Sequence, residues 1–146
     1  MKTLFDSSIV IAFCVKNHPK HEMAKQWFLK AQSGKISMFL AAHSLIEAYS
    51  VMTRAPFKPK ISAEKAKELL HKNVLPLCTI IGLEVDAYKN VLDLLADNNL
   101  VGGISYDAII FETAQQANIK QLITANTKDF YRLNTVFDYD IDVIGI

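Results

Sequence analysis

The chain has 146 residues, 51% of them hydrophobic and 21% charged, with a formal net charge of +1 at pH 7. This size and balance fit a single globular domain over residues 1–146 with a sizeable core, and they argue against a disordered tail or a uniformly basic nucleic-acid binder. The two cysteines, Cys14 and Cys78, lie in apolar surroundings without CxxC spacing or neighbouring histidines, which speaks against a disulfide framework or a zinc site and for buried thiols.

A short apolar run from Lys2 to Phe5 predicts the first strand, and it stops at Asp6-Ser7-Ser8. The clean apolar stretch Ile9 to Val15 is predicted helical. It is short and no small-residue cleavage pattern follows it, so a secretory signal is not expected. After the break at Asn17-His18-Pro19, an amphipathic helix runs from about Lys20 to Gln32, with Gly34 as its C-terminal cap. The compact apolar run Ile36 to Ala42 predicts a second strand. It leads into a helix that starts near His43-Ser44, carries Glu47 in its first turns and stops by Ala55, before Pro56 and Pro59.

Ser62 caps a helix through about Lys72, and the β-branched stretch Val74 to Ile81 predicts a third strand. A long helix from about Glu84 to Asp97 places Val85, Tyr88, Val91, Leu92 and Leu95 at helical spacing. Turn residues at Asn98-Asn99 and Gly102-Gly103 precede a helix from about Ser105 to Ala117. Asp107 lies in its first turn, where the helix dipole favours negative charge. Gln121 to Ala125 predicts a fourth strand, Asn126 to Phe130 a turn, and Asp142 to Ile146 a last strand. No run approaches the roughly 18 apolar residues of a membrane span, so a soluble cytoplasmic protein is expected.

Strands alternating with helices imply an α/β fold of three layers, with a central parallel sheet of four to five strands covered on both faces. In such sheets ligands bind beyond the carboxyl ends of the strands. Asp6 ends the first strand, Glu47 begins the helix after the second, and Asp129 follows the fourth. Asp107 precedes the fourth strand, so only a particular packing turns it toward the others. Taken singly, each acid has an ordinary reading as a cap, turn or solvated helix residue. Glu47 departs furthest from it, as the lone charge in MFLAAHSLIEAYSVM.

Gathered together, such acids are costly. Two unit charges about 4 Å apart repel by roughly 4 kcal/mol at an effective dielectric near 20, so the cluster needs a counter-ion or a protonated member. Oxygen ligands without a Cys or His cluster point to Mg²⁺ or Mn²⁺, and paired metals favour in-line phosphoryl chemistry. His18, His21, His43 and His71 show no HxxxH pairing and are expected at surface or capping positions. No P-loop, GxGxxG or GxSxG occurs, and Ser8 stands where a haloacid-type D-x-D needs its second acid.

The small net charge conceals an asymmetry. Residues 1–72 hold 12 Lys/Arg against 5 Asp/Glu, or +7, while residues 73–146 hold 4 against 10, or −6. A solvated helix surface accounts for part of this, but a basic rim beside an acidic pocket suits an enzyme that holds phosphates near a metal. The candidates for the rim are Lys16, Lys20, Lys35, Arg54, Lys58 and Lys60.

Four segments in order, LFDSSIVIA, HSLIEAYSVMTR, SYDAIIFETA and LITANTKDF, resemble the PIN-domain ribonucleases, most closely the VapC-type toxins of bacterial toxin–antitoxin pairs. The likeness runs over nearly the whole chain. It implies a Mg²⁺- or Mn²⁺-dependent endoribonuclease in which Asp6, Glu47 and Asp107 match the family's acids. For the fourth position the resemblance offers either Asp129, as a weak or water-mediated ligand, or Asn126, which stands where some relatives carry Asp and otherwise positions water or phosphate. Ser8 matches a residue that orients the first aspartate. The resemblance further implies in-line hydrolysis leaving 5′-phosphate and 3′-hydroxyl ends, a homodimer, and silencing by a small antitoxin. Two alternatives accompany it: a degenerate PIN domain that binds RNA or a protein without cleaving, and a phospho-receiver domain. The latter lacks its acidic pair, since Asp6 is followed by two serines.

Overall fold

The computed structural model describes residues 1–146. Five strands form one all-parallel sheet: β1 (Lys2–Phe5), β2 (Ser37–Ala41), β3 (Cys78–Ile81), β4 (Gln121–Thr124) and β5 (Asp142–Gly145), in the spatial order β3-β2-β1-β4-β5. Seven α-helices connect them: α1 (Ser7–Cys14), α2 (His21–Gln32), α3 (Ala42–Arg54), α4 (Ala63–Leu69), α5 (Val85–Asp97), α6 (Ile104–Gln116) and α7 (Thr127–Phe137). This is the three-layer α/β architecture of a PIN-like fold.

The layers follow from the pleat. Successive strand residues face opposite sides, so Phe5, Met38, Leu40 and Ile123 enter one core with α1 to α4. Leu4, Ala41, Leu122 and Val143 enter the other with α5 to α7. In the first core Phe28 stands edge-on to Phe5 and stacks on Phe13 at 3.8 Å. Both faces of the sheet are covered, which is why its inner strands read as continuous apolar runs rather than alternating ones.

The strand order places a topological switch at β1. The chain builds outward through β2 and β3, then returns across β1 to lay down β4 and β5. The helix after β1 packs on one face and the helix after β4 on the other, as α1 and α7 do here. A crevice therefore opens between the carboxyl ends of β1 and β4.

Two predicted elements differ. Val74 to Leu77 is not strand: after α4, capped by Ser62 accepting from the Lys65 amide at 3.1 Å, the chain continues as a wide helical turn over Leu70–Val74 and a tight one over Leu75–Leu77. Leu70 and Val74 are buried four residues apart, a helical spacing, and Pro76 cannot donate to a strand ladder. Asn126 to Phe130 is not merely a turn, because α7 starts at Thr127 and buries Phe130, Leu133 and Phe137 at helical spacing. Its first residue crowds β5: a Cβ on Gly145 would lie 2.6 Å from the Thr127 methyl. No helix is long and apolar enough to cross a membrane.

Candidate active site

Asp6 is the first residue beyond β1 and the N-cap of α1, and it is 4% exposed. Its amide donates to Ile123 O on β4 at 3.0 Å, so the backbone at the switch point is fixed from both strands. Its carboxylate does not cap its own helix. Oδ2 instead accepts from Ser8 Oγ at 2.6 Å and from Thr124 Oγ1 at 2.9 Å. These two donors are themselves anchored: Ser8 Oγ accepts from the Ala125 amide at 3.0 Å, and Thr124 Oγ1 from the Asn126 amide at 2.9 Å. Burial pushes the Asp6 carboxyl up, the two hydroxyls oppose that push, and the charge of Glu47 adds to it.

Glu47 lies in the second turn of α3 and is held by both oxygens. Ser7 Oγ donates to Oε1, and the His43 ring meets Oε2 through Nε2 at 2.9 Å. Ser7 also lies 3.4 Å from Asp6 Oδ1, so one hydroxyl stands between the two acids. Asp107, in the first turn of α6, is pushed up to about 8, first by burial and then by the negative charges of Asp6, Asp129 and Glu47. Asp129 sits in the first turn of α7, where Asn126 Nδ2 donates to its Oδ2 at 3.0 Å.

The four acids therefore converge from four different elements on the carboxyl side of the sheet. None is paired with a lysine or arginine, and the one charge-capable partner in the group is His43. An uncompensated cluster of this kind is a set of hard oxygen donors. No three Asp, Glu, His or Cys side chains come together tightly enough to enclose a cation by themselves. Magnesium, however, commonly takes only one or two carboxylates and keeps several waters, so an open, half-buried cluster fits that ion better than a closed protein cage would.

The basic residues are more scattered than the charge count suggests. Lys16 and Lys60 line one hollow of about 510 Å³ together with Lys65. Lys58 contributes a carbonyl to Asn17 Nδ2 at 2.7 Å, and Lys20 Nζ donates at 2.7 Å to Ile146 O, past the carboxyl end of β5. Arg54 is exposed and lies seven residues beyond Glu47 on α3, hence on the same side of the helix and about 10 Å further along it. Lys35 precedes β2 at the amino edge of the sheet, away from the acids, and does not join the rim.

Several site residues went unnoticed in the sequence. Thr124 looks like an ordinary strand terminus in LITAN, and nothing local says that its hydroxyl reaches across to Asp6. Ser7 is hidden by the same ambiguity. His43 did carry a signal, because it stands four residues before Glu47 on a helix, and residues at that spacing meet.

Fold and site together define an α/β protein with a carboxylate cluster at the switch point of its parallel sheet. A family model of the PIN domain matches residues 3–135, and the chain belongs to the PIN-domain family. It is 30% identical over 132 residues to ribonuclease VapC40 of Mycobacterium tuberculosis, covering 89% of this chain and 88% of the relative. Ribonuclease VapC27 of the same organism is 29% identical over 129 residues, covering 86% of this chain and 87% of the relative. Among solved structures, Mycobacterium tuberculosis VapC20, a sarcin–ricin loop cleaving toxin, superposes with a TM-score of 0.71 at 13% identity, covering 89% of this chain and 94% of that one. Rickettsia felis VapBC2 bound to promoter DNA gives 0.69 at 18% identity, covering 100% and 99%. These last two likenesses are likenesses of fold.

Proposed function

We propose that the chain is a Mg²⁺- or Mn²⁺-dependent endoribonuclease, the toxin of a toxin–antitoxin pair acting in the cytoplasm. The observation that carries this reading is the carboxylate cluster at the switch point, uncompensated by any lysine or arginine, with the Asp107 carboxyl pushed up to about 8 by burial and then by its acidic neighbours. Names borne by the relatives support the substrate class: two are ribonucleases, and several solved neighbours are toxin–antitoxin complexes.

Asp6, Glu47 and Asp107 would hold the metal, with Asp129 as a fourth ligand whose carboxylate Asn126 orients. When bound, the ion would neutralise the cluster, favour ionised water near pH 7 and offset the charge that develops on the phosphate. Ser8 and Thr124 keep the Asp6 carboxylate in one orientation. Ser7 and His43 do the same for Glu47. Asp107, whose carboxyl burial and its acidic neighbours push up to about 8, would give up its proton to hold the ion. A cluster carboxylate would accept the proton of the attacking water as the P–O3′ bond breaks, and the departing 3′ oxygen would take a proton from solvent, leaving 5′-phosphate and 3′-hydroxyl ends.

Arg54, Lys16, Lys58 and Lys60 are proposed to carry the flanking RNA backbone. A homodimer is also proposed, and Val85, Tyr88 and Leu92, exposed at 72%, 47% and 66% along one side of α5, are the surface on which a second copy would pack. The reading is tested by incubating total RNA with wild type and with Asp6→Asn, in Mg²⁺ and in EDTA. Discrete cuts are expected for wild type in Mg²⁺ alone. Equal cleavage by the variant, or undiminished cleavage in EDTA, would overturn it.

A further inference from the structure

Next to the acid cluster, two aromatic rings meet across the crevice. His43 comes from the first turn of α3 and Tyr106 from the first turn of α6. Their ring centroids are 5.4 Å apart and their planes lie within 8°. Neither ring belongs to a core cluster: the His43 side chain is 27% exposed and Tyr106 is 55% exposed. The hydrogen bond to Glu47 Oε2 fixes the His43 ring plane. Tyr106 thus has a fixed aromatic backing on one side and open solvent elsewhere.

A hollow of about 250 Å³ lies beside the pair, lined by His43, Ile46, Glu47, Ser50 and Tyr106. Sites for small molecules usually begin near 300 Å³, so this one has room for a single planar ring and little more. Ile46, 67% exposed, gives it an apolar wall. Ser50, one turn beyond Glu47 on α3, gives it a hydroxyl that can donate or accept. Glu47 lines the hollow and also belongs to the acid cluster, through Ser7 to Asp6. Whatever seats itself there lies one residue's reach from the reacting centre.

Resting on the ribonuclease reading above, we propose that this hollow is a nucleobase subsite, in which an unpaired base beside the scissile phosphate stacks on Tyr106, with His43 behind it and Ile46 and Ser50 at its edge. Stacking on an aromatic ring tolerates any base, because every base has a π-face. One hydroxyl at the edge adds little discrimination. The subsite therefore fixes the position of the strand and demands a base free of its pairing partner, which favours loops and single strands over duplex.

Two measurements test it. The first is fluorescence anisotropy with a single-stranded uridine decamer, comparing wild type, Tyr106→Ala and Tyr106→Phe. The second is cleavage kinetics on a synthetic RNA spanning a mapped cut, with the base beside the cut either present or replaced by an abasic nucleotide. Tyr106→Ala is expected to weaken decamer binding and raise KM roughly tenfold with little change in kcat, while Tyr106→Phe, which keeps the ring, stays near wild type and guards against loss of the fold. The abasic substitution should raise the wild-type KM by a similar factor and add nothing in Tyr106→Ala. Wild-type binding and KM in Tyr106→Ala, or a defect that persists in full on abasic RNA, would refute the subsite. Tyr106-dependent decamer binding by a wild type that cuts no RNA would sink the ribonuclease reading and leave the subsite standing.

Discussion

Asp6 and Asp107 carry the same side chain and face the same crevice, and burial raises both carboxyls, yet their hydrogen-bond partners differ. Asp6 is the more deeply buried, but three serine and threonine hydroxyls point at its carboxylate, and two of them are locked by backbone amides. Asp107 is half-buried, and after burial itself the negative charges of Asp6, Asp129 and Glu47 push its carboxyl up to about 8. Only at Asp6 do hydroxyl donors aimed at the charged form oppose the upward push of burial that both acids share. One aspartate has hydroxyl donors set around its charged form, and the other has mainly like charges beside it.

The sharpest break in that comparison is Asp6→Asn. Loss of this carboxylate is expected to lower RNA cleavage by at least about a thousandfold, with an unchanged far-ultraviolet circular dichroism spectrum and an equal or higher melting temperature in EDTA, since the burial of a charge and its repulsion from Glu47 are relieved. Thr124→Val tests the donors instead of the acid. Removing an outer hydrogen bond to a ligand typically costs 10–100-fold in metal affinity or activity, and about 1 kcal/mol of stability, measurable by urea unfolding. Retained metal affinity in that variant would show that Ser8 suffices.

Metal binding separates the two acids further. Mg²⁺ or Mn²⁺ should raise the wild-type melting temperature by several degrees at concentrations well above the dissociation constant and leave Asp6→Asn unmoved; equal shifts would place the ion elsewhere. Asp107 controls the pH dependence of the bare protein. Its folded pKa of about 8 lies above the ordinary 3.8, so the stability it contributes is full below about 3.8 and is lost as pH rises through about 8. Urea midpoints in EDTA should therefore fall between pH 5 and pH 8, and Asp107→Asn should flatten the slope. The smallest expected effect belongs to the rim: neutralising Lys58 and Lys60 should weaken RNA binding more at low salt than at high salt, and an unchanged salt slope would remove them from the contact surface.

Much of this could be seen in the chain before its folding. The strand-then-acid rhythm at Phe5-Asp6, and Glu47 alone in an apolar run, pointed to the carboxyl edge of a parallel sheet, because few other arrangements satisfy both patterns. What escaped was of two kinds. Val74 to Leu77 looks like strand by residue type, but its neighbour Leu70 and the missing amide of Pro76 decide for helix. The helix α7 was obscured by the turn-forming Asn126, although Phe130, Leu133 and Phe137 keep helical spacing. The partners of Asp6 escaped for a deeper reason: the Thr124 hydroxyl is 118 residues away in sequence, and only the β1–β4 pairing brings it near.

That pairing also sets an order of events during synthesis. The amino-terminal strand is made first and becomes the middle of the sheet, with β4 laid beside it more than a hundred residues later. Until Gln121 to Thr124 leaves the ribosome, Asp6 has neither its backbone anchor on Ile123 nor its threonine donor. An incomplete chain ending before β4 contains Asp6, Glu47 and Asp107 but no formed site, so a stalled or truncated product is inert however many of the acids it carries.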